Sequence, residues 1–479
     1  MNDCMSKDVL DKVLYIPLEI FSRELGGGIL LANTALNRGW KVIIGGKKSF
    51  FDNLYRFNPN RGIFFLKSIV PGEVFIQDRL KNCGHRIVSL DVEGLVRTPG
   101  SAGVKLRYSN ESIERTDLIF FWGKEHFNAV QNIFPRVSKK SYISGSPIFD
   151  EVLLNRELRI QERKNFNFPK KILIATSNGF SNNINGTAFA IKMAENAHNN
   201  SINAEEKSIL DKKVELDFII FEFWQSIIPK ISKKFSDYEI VLRPHLTENF
   251  DFWIRFIEPF NNIRIDTNAS ILCELRSAEV FLHFNSTASI SARLIGVPSI
   301  MICPEGLSTE HRERITFVKE FSSVISKPED LELLLGSTNV SKKSEKDLGY
   351  YCHNANLKSK YSSDLILDKL EAQFSFSDNQ NLKILPKSII KIVRFNIREI
   401  VHFIKWISGL LISLCAPNST ILNFLPAKNS YKSSKAKQPK LELKELKAKA
   451  KSLLSVKDFN NLFIEQIDTN LFKFSRNEK

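Results

Sequence analysis

Residues 238–245 read YEIVLRPH, and residues 279–289 read EVFLHFNSTAS. Each opens on a short apolar run and ends in polar residues: Arg243-Pro244-His245 in the first, Asn285-Ser286-Thr287-Ala288-Ser289 in the second. A helical pattern follows each, a short strand pattern (Ile263–Asp266) lies between them, and Gly296-Val297-Pro298 closes the last helix. Short apolar strands alternating with helices imply a parallel sheet, whose ligands sit beyond the carboxyl ends of the strands. Both polar clusters fall at such ends. Asn285, Ser286 and Thr287 bring polar side chains and backbone N–H groups to a helix start, which suits a phosphate. His245 can hydrogen-bond a phosphate or a ribose, and Arg243 can neutralise charge. Each residue also has a plainer use, since Ser-Thr at a helix start commonly caps it and a histidine after a strand can be structural. Their coincidence at two ends of one expected sheet favours a nucleotide pocket.

Outward from there, Val13–Ile20 reads as a first strand, and Gly26–Gly28 as a turn where a backbone could approach a ligand. No complete dinucleotide fingerprint GxGxxG is present. A helix over Ile29–Arg38 and strands at Lys41–Gly45, Gly62–Lys67, Arg86–Asp91, Asp117–Trp122 and Ser141–Ser144 fill a first α/β domain over residues 1–155. Arg156–Lys170 reads as a charged linker. Lys171–Thr176 opens a second sheet and ends in Ser177-Asn178-Gly179, so Asn178 joins the expected nucleotide side. Glu195–Lys213 reads as an exposed excursion, Leu216–Phe235 as an amphipathic helix with its aromatics in the core, and Glu329–Leu335 as a late helix. The second domain spans residues 171–340, and a basic helical region takes 341–479. The expected class is α/β: two Rossmann-like domains facing across a cleft, the GT-B architecture, which by itself does not choose among sugar transferases, epimerases and glycerophosphate transferases.

The chain has 479 residues, 43% of them hydrophobic, enough for two sizeable cores. Six scattered cysteines with no CxxC argue against a disulfide framework or zinc site and for a reducing, cytoplasmic setting. The polar first twelve residues do not read as a signal peptide. Net charge is +15, and residues 383–451 hold 15 Lys and Arg against three acids, so this tail supplies +12. No nucleic-acid motif accompanies it. Ser388–Leu414 mixes apolar residues with Lys391, Arg394, Arg398 and Lys405, and its longest uncharged run is too short to cross a bilayer. It suits an anionic membrane interface, or equally the back of the two domains. Leu441–Phe474 reads as closing helices.

One loop offers a base. Arg86–Leu95 reads RIVSLDVEGL, and alternation puts Asp91 and Glu93 on one side of the chain, with Gly94 allowing a sharp turn. A carboxylate there could deprotonate an acceptor hydroxyl, or be a solvated acidic turn. At this point the chain resembles the bacterial surface-carbohydrate biosynthesis proteins, GT-B proteins similar to β-Kdo transferases and bacterial sialyltransferases. The resemblance runs in order through Phe21–Leu25, Lys67–Ile69, Leu90–Leu95, Phe121-Trp122-Gly123, Ser144-Gly145-Ser146-Pro147 with Asp150, Arg243-Pro244-His245, and Ser286-Thr287 to Pro298. It implies inverting transfer of a 3-deoxy-2-ulosonic acid (Kdo or a nonulosonic acid) from its CMP-activated form to a glycan or lipid-linked glycan. Glu93 would be the base, with Asp91 as second choice. Arg243 and His245 would hold the cytidylate, Ser286 and Thr287 its phosphate. Arg23, Glu24, Gly27, Gly145 and Pro147 would line the acceptor cleft. No cofactor and no metal enter that scheme. The sequence departs from the pattern in three places: Val92 interrupts the acids, Leu246 replaces a proline, and Ser289 and Ser291 stand where a glutamate is common. The competing readings are a CDP-glycerol-type polyol-phosphate transferase, a nucleotide-sugar 2-epimerase, and a non-catalytic scaffold of polysaccharide assembly.

Overall fold

The computed structural model describes residues 9–94, 100–165, 170–196, 204–266, 270–315, 322–327, 329–330, 345–357, 360–377, 382–384 and 440–476. In chain order its strands are β1 (Leu10–Asp11), β2 (Val13–Leu18), β3 (Lys41–Gly46), β4 (Ile63–Leu66), β5 (Arg86–Leu90), β6 (Leu118–Phe121), β7 (Ser141–Ile143), β8 (Lys171–Ala175), β9 (Glu239–Arg243), β10 (Ile263–Ile265), β11 (Val280–His283), β12 (Ser299–Ile302), β13 (Ser323–Ile325), β14 (Phe376–Ser377), β15 (Leu462–Asp468) and β16 (Leu471–Arg476). Two large sheets result, in the orders β15-β16-β3-β2-β4-β5-β6-β7 and β10-β9-β8-β11-β12-β13. The second is parallel throughout, and so is β3-β2-β4-β5-β6-β7 of the first. Buried strands such as IFFL in β4, LIFF in β6 and SIMI in β12 are apolar on both faces, as strands covered on both sides by helices must be. The chain is therefore α/β with two Rossmann-like halves. In each half the strand order reverses beside one strand, at β2/β4 and at β8/β11, where ligands of such sheets bind.

Three expectations give way. Helix α1 (Phe21–Asn37) begins five residues before the glycines, so Gly26–Gly28 are not a ligand turn but three helical positions. A Cβ on Gly27 would come 2.7 Å from the Pro147 carbonyl carbon, one on Gly26 would overlap the Glu151 carboxylate, and one on Gly28 would meet Ile44 at 3.0 Å. Each glycine costs a helix roughly 1 kcal/mol against alanine, and close packing offsets that, of Gly28 on Ile44 and Leu18 of the sheet and of Gly26 and Gly27 on the helix Pro147–Asn165. This helix also replaces the expected linker after residue 155. It packs against α1 on one side and against Ile271–Ser277 and Ala288–Ile295 on the other, so the largest apolar cluster runs continuously from one half to the other. Finally, Leu441–Phe474 is helical only over Leu443–Leu453 and Val456–Asn460. Its end is the β15–β16 hairpin, and β16 pairs antiparallel with β3. Phe472 and Phe474 alternate toward the core with a period of two, a strand signal hidden beside a lysine-rich helix.

The chain returns to the first half before this. His353 N–H donates to Trp122 O (2.7 Å), and a Cβ on Gly123 would sit 2.5 Å from Tyr350 O. Asn354 accepts from Ser146 N–H (2.8 Å) and donates to Ser146 O and Asp150 Oδ1. Asp150 is fully buried and also receives the N–H groups of Ser362 and Ser363 at the start of the helix Ser362–Gln373. Burial pushes its pKa up to about 6 against the pull of these donors. Most of Glu329–Leu335 and all of Ser388–Leu414 lie outside the described residues.

Candidate active site

The second half builds its site at the ends of β8, β9 and β11, which are neighbours in the sheet. Strands spaced about 4.8 Å apart put the β9 and β11 ends roughly 10 Å from each other, so His245 and Ser286 flank one crevice. The organiser is Glu248, which the sequence reading missed. Its buried carboxylate accepts from Thr176 Oγ1 (2.8 Å), Asn178 N–H (3.2 Å), Asn182 Nδ2 (3.5 Å), His245 N–H (2.8 Å) and Trp253 Nε1 (2.8 Å). One side chain thus fixes the loops after both β8 and β9. Burial raises its pKa although five donors pull the other way. A glutamate three residues after the histidine was its only sequence signal.

The individual positions differ from one another. His245 is exposed, and its Nδ1 meets Thr247 Oγ1 (2.8 Å) and accepts Thr247 N–H, so the neutral ring carries its proton at Nε2. Arg243 is committed instead to Asp266, so the charge it would bring to a phosphate is already balanced. Asn178 is buried; its N–H goes to Glu248 and its side-chain amide to Asp217 O (3.0 Å), giving it a loop-holding role. Asn285 adopts φ 46°, the left-handed region that asparagine tolerates better than most residues, and turns the chain into the helix Ala288–Ile295. Ser286 N–H donates to His283 Nδ1 (3.3 Å), and Ser286 Oγ caps Ala288 N–H (3.2 Å); the hydroxyl of Thr287 makes no cap bond. Ser177 Oγ reaches Phe284 O (3.3 Å), closing the β8 loop on the β11 loop. His283, fully buried with Nε2 against Ser299 and Ser322 hydroxyls, has its pKa lowered by burial to about 3.

On the first half, Asp91 and Glu93 share Arg107, as alternation required. Arg107 holds Asp91 through Nε (2.8 Å) and Nη2 and Glu93 through Nη1 (2.9 Å). Asp91 is 2% exposed and also accepts Glu93 N–H (3.0 Å), so it anchors the loop and cannot reach an acceptor. Glu93 has a side chain 39% exposed and takes a second contact from Arg23 Nη1 (3.2 Å). Burial raises its pKa, but Arg23, Arg107 and Lys67 outweigh that and leave it below the ordinary glutamate range. Glu24 is buried, bound to Arg23 and to Glu19 N–H (2.7 Å) at the start of α1. Gly27, Gly145 and Pro147 pack: Gly145 takes φ 77° against the Asn354 amide, and Pro147 lies under Gly27. A Cβ on Gly94 would overlap the His126 ring. Lys213, from the helix Ala204–Lys234 of the second half, lies within electrostatic reach of Glu93, so Glu93 faces the other half across the cleft. Among the described residues no group of three His, Cys, Asp or Glu side chains assembles as a metal site.

No family model matches the chain, and no curated protein matches it. Solved structures similar to it include the wall teichoic acid polymerase TagF soaked with CDPG, at 14% identity over 76% of this chain and 90% of that one, TM-score 0.46. The UDP-GlcNAc 2-epimerase of Methanocaldococcus jannaschii, in complex with UDP-GlcNAc and UDP, is 14% identical over 75% of this chain and 99% of that one, TM-score 0.40. The S. aureus MnaA–UDP structure is 9% identical over 75% and 95%, TM-score 0.43. These are distant likenesses of chain path; the two-half fold stands on the strand orders themselves.

Proposed function

We propose that the protein is an inverting glycosyltransferase that moves a 3-deoxy-2-ulosonic acid from CMP to a surface glycan or lipid-linked glycan acceptor. The observation that carries this reading is Glu93: a half-exposed, ionised carboxylate on one half, opposite a set of polar strand ends on the other. In the reaction, Glu93 takes the proton of an acceptor hydroxyl. The acceptor oxygen bonds to the anomeric carbon as the bond from that carbon to the CMP phosphate oxygen breaks, and CMP leaves with the electron pair. The hydroxyls of Ser286 and Thr287 and the Thr287 N–H would meet the leaving phosphate and His245 the nucleotide, since the Ser286 and Ala288 N–H groups are taken by His283 and by the Ser286 cap, so that charge is stabilised where it develops. The arginines that keep Glu93 ionised also lower its basicity. An acceptor hydroxyl displacing one of them would return it toward the ordinary range.

The test is transfer from a CMP-linked ulosonic acid by the purified protein, followed as CMP release and as product. Glu93→Gln keeps the shape and removes the base, and should lower the rate about 100-fold or more. Unchanged rates in that variant would remove Glu93 from the chemistry. A second reading, transfer of a polyol phosphate from a CDP-linked donor, is favoured by Lys213, which lies within electrostatic reach of Glu93 and of Arg314 and suits a second phosphate. Turnover of CDP-glycerol and not of the CMP-sugar would select it.

A further inference from the structure

Two cations of the second half, Lys213 and Arg314, have no work in the CMP-sugar transfer described above. Lys213 is exposed to the cleft, lies over the Phe180 ring (5.6 Å to its centroid), and makes no ion pair within 4 Å among the described residues. Protein crowding and the nearby Arg314 lower its pKa, while Asp217 and Glu93 pull the other way. Arg314 is tied to the nucleotide side, since its carbonyl accepts the Asn285 amide (3.5 Å). Its Nε is buried and has no hydrogen-bond partner among the described residues. Across the cleft, Arg23 presents the same defect: its Nη groups hold Glu24 and Glu93, while its buried Nε has no acceptor among the described residues. A buried donor on a charged group is unfavourable when left without an acceptor. Lys213 lies within electrostatic reach of both Glu93 and Arg314, and Arg23 holds Glu93, so these cations converge on one stretch of the two halves with capacity to receive an oxyanion.

We propose that Lys213 and Arg314, with Arg23 opposite, form a subsite for a second anionic group of the substrate, separate from the phosphate at Ser286 and Thr287. This rests on the reading of the cleft as a nucleotide-linked donor site. The chemistry recognised is a carboxylate or phosphate oxyanion one linkage beyond the nucleotide phosphate. A planar guanidinium suits either group, and an ammonium adds charge without fixed geometry. The oxyanion would bridge both halves and compete with Glu93 for Arg23, which loosens Glu93 from its arginine clamp when substrate is bound.

The experiment is calorimetric titration of the full chain with CMP, CDP and a CMP-linked ulosonic acid, repeated on Lys213→Ala and Arg314→Met. The proposal expects at least one two-anion ligand to bind tenfold or more tightly than CMP. That advantage should shrink to less than threefold in both variants, with CMP affinity kept. A preference for CDP assigns the oxyanion to a second phosphate, and a preference for the CMP-linked acid assigns it to a carboxylate. Equal affinities for all three ligands overturn the subsite while leaving the donor site standing, and so does a variant that weakens CMP as much as the others. Binding of none of the three overturns the donor site and the subsite together. Unfolding midpoints of both variants within 2–3 °C of the parent would exclude misfolding as the cause.

Discussion

At the scale of single residues, the two carboxylates of the 91–93 loop separate by exposure. Asp91 is saturated by Arg107 and the Glu93 N–H, so it positions; Glu93 stands half in solvent, so it can act. Glu93→Gln should therefore leave the unfolding midpoint within a few degrees, because partly exposed ion pairs contribute only about 0–1 kcal/mol. Asp91→Ala should destabilise by about 3–5 kcal/mol, since it leaves the Arg107 charge without its buried partner. Urea unfolding of both variants checks the contrast. Glu248→Ala strands five donors and should cost at least about 3 kcal/mol. The residues named from sequence were polar side chains at strand ends, and the fold does put His245, Ser286 and Glu93 just past the ends of β9, β11 and β5. That criterion missed Glu248, Arg107, Lys213 and Arg314, because each reaches the site from another loop or helix and no local pattern marks that approach.

At the scale of elements, the helix Pro147–Asn165 joins the halves, and Gly26 and Gly27 of α1 leave room for its close approach. Gly27→Ala should force a backbone shift and destabilise by about 1–3 kcal/mol, although alanine is the better helix former; a midpoint at or above that of the parent would contradict this packing. In the sequence, Gly145 and Pro147 of Ser144-Gly145-Ser146-Pro147 read as cleft residues, and Phe121-Trp122-Gly123 as a motif of the resemblance. In the fold they grip residues 350–354 and 362–363 of the returning chain through Trp122 O, Asn354 and Asp150. A motif shows that its residues are required; whether they bind a ligand or another part of the chain is decided by a contact more than 200 residues away in sequence. The parallel strands were legible because apolar runs of four to six residues are hard to read otherwise. The last hairpin was not, because its alternation is short and follows a helix rich in lysine.

At the scale of the molecule, three buried titratable groups set opposite slopes. Burial lowers His283 to about 3 and His85 to about 4. Against an unfolded value near 6.5, their contribution is present at neutral pH and is lost as pH falls toward those values. Asp150, raised to about 6, acts in reverse: its charged form is penalised, and the penalty fades as pH falls from about 6 toward its unfolded value. Two histidines against one carboxylate leave a net loss of roughly 1.4 kcal/mol per pH unit between pH 6 and 4 from these groups. Asp150→Asn removes the opposing slope, so its urea midpoint should fall more steeply with acid than the parent's. Residues 440–476 complete the first sheet through β16, so removing everything after residue 387 should cause aggregation. A chain lacking only 388–414 should keep its fold and lose any binding to anionic vesicles, which tests the basic stretch as a membrane-surface contact. A transferase that takes its sugar from a cytidine nucleotide is tested most directly by calorimetric titration of the full chain with CMP, CDP, UMP and UDP. The cytidine nucleotides should bind selectively, and His245→Ala should weaken them while leaving the unfolding midpoint of the empty protein unchanged. Preference for UDP, or binding of none of the four, would contradict it, and the latter would favour a non-catalytic scaffold.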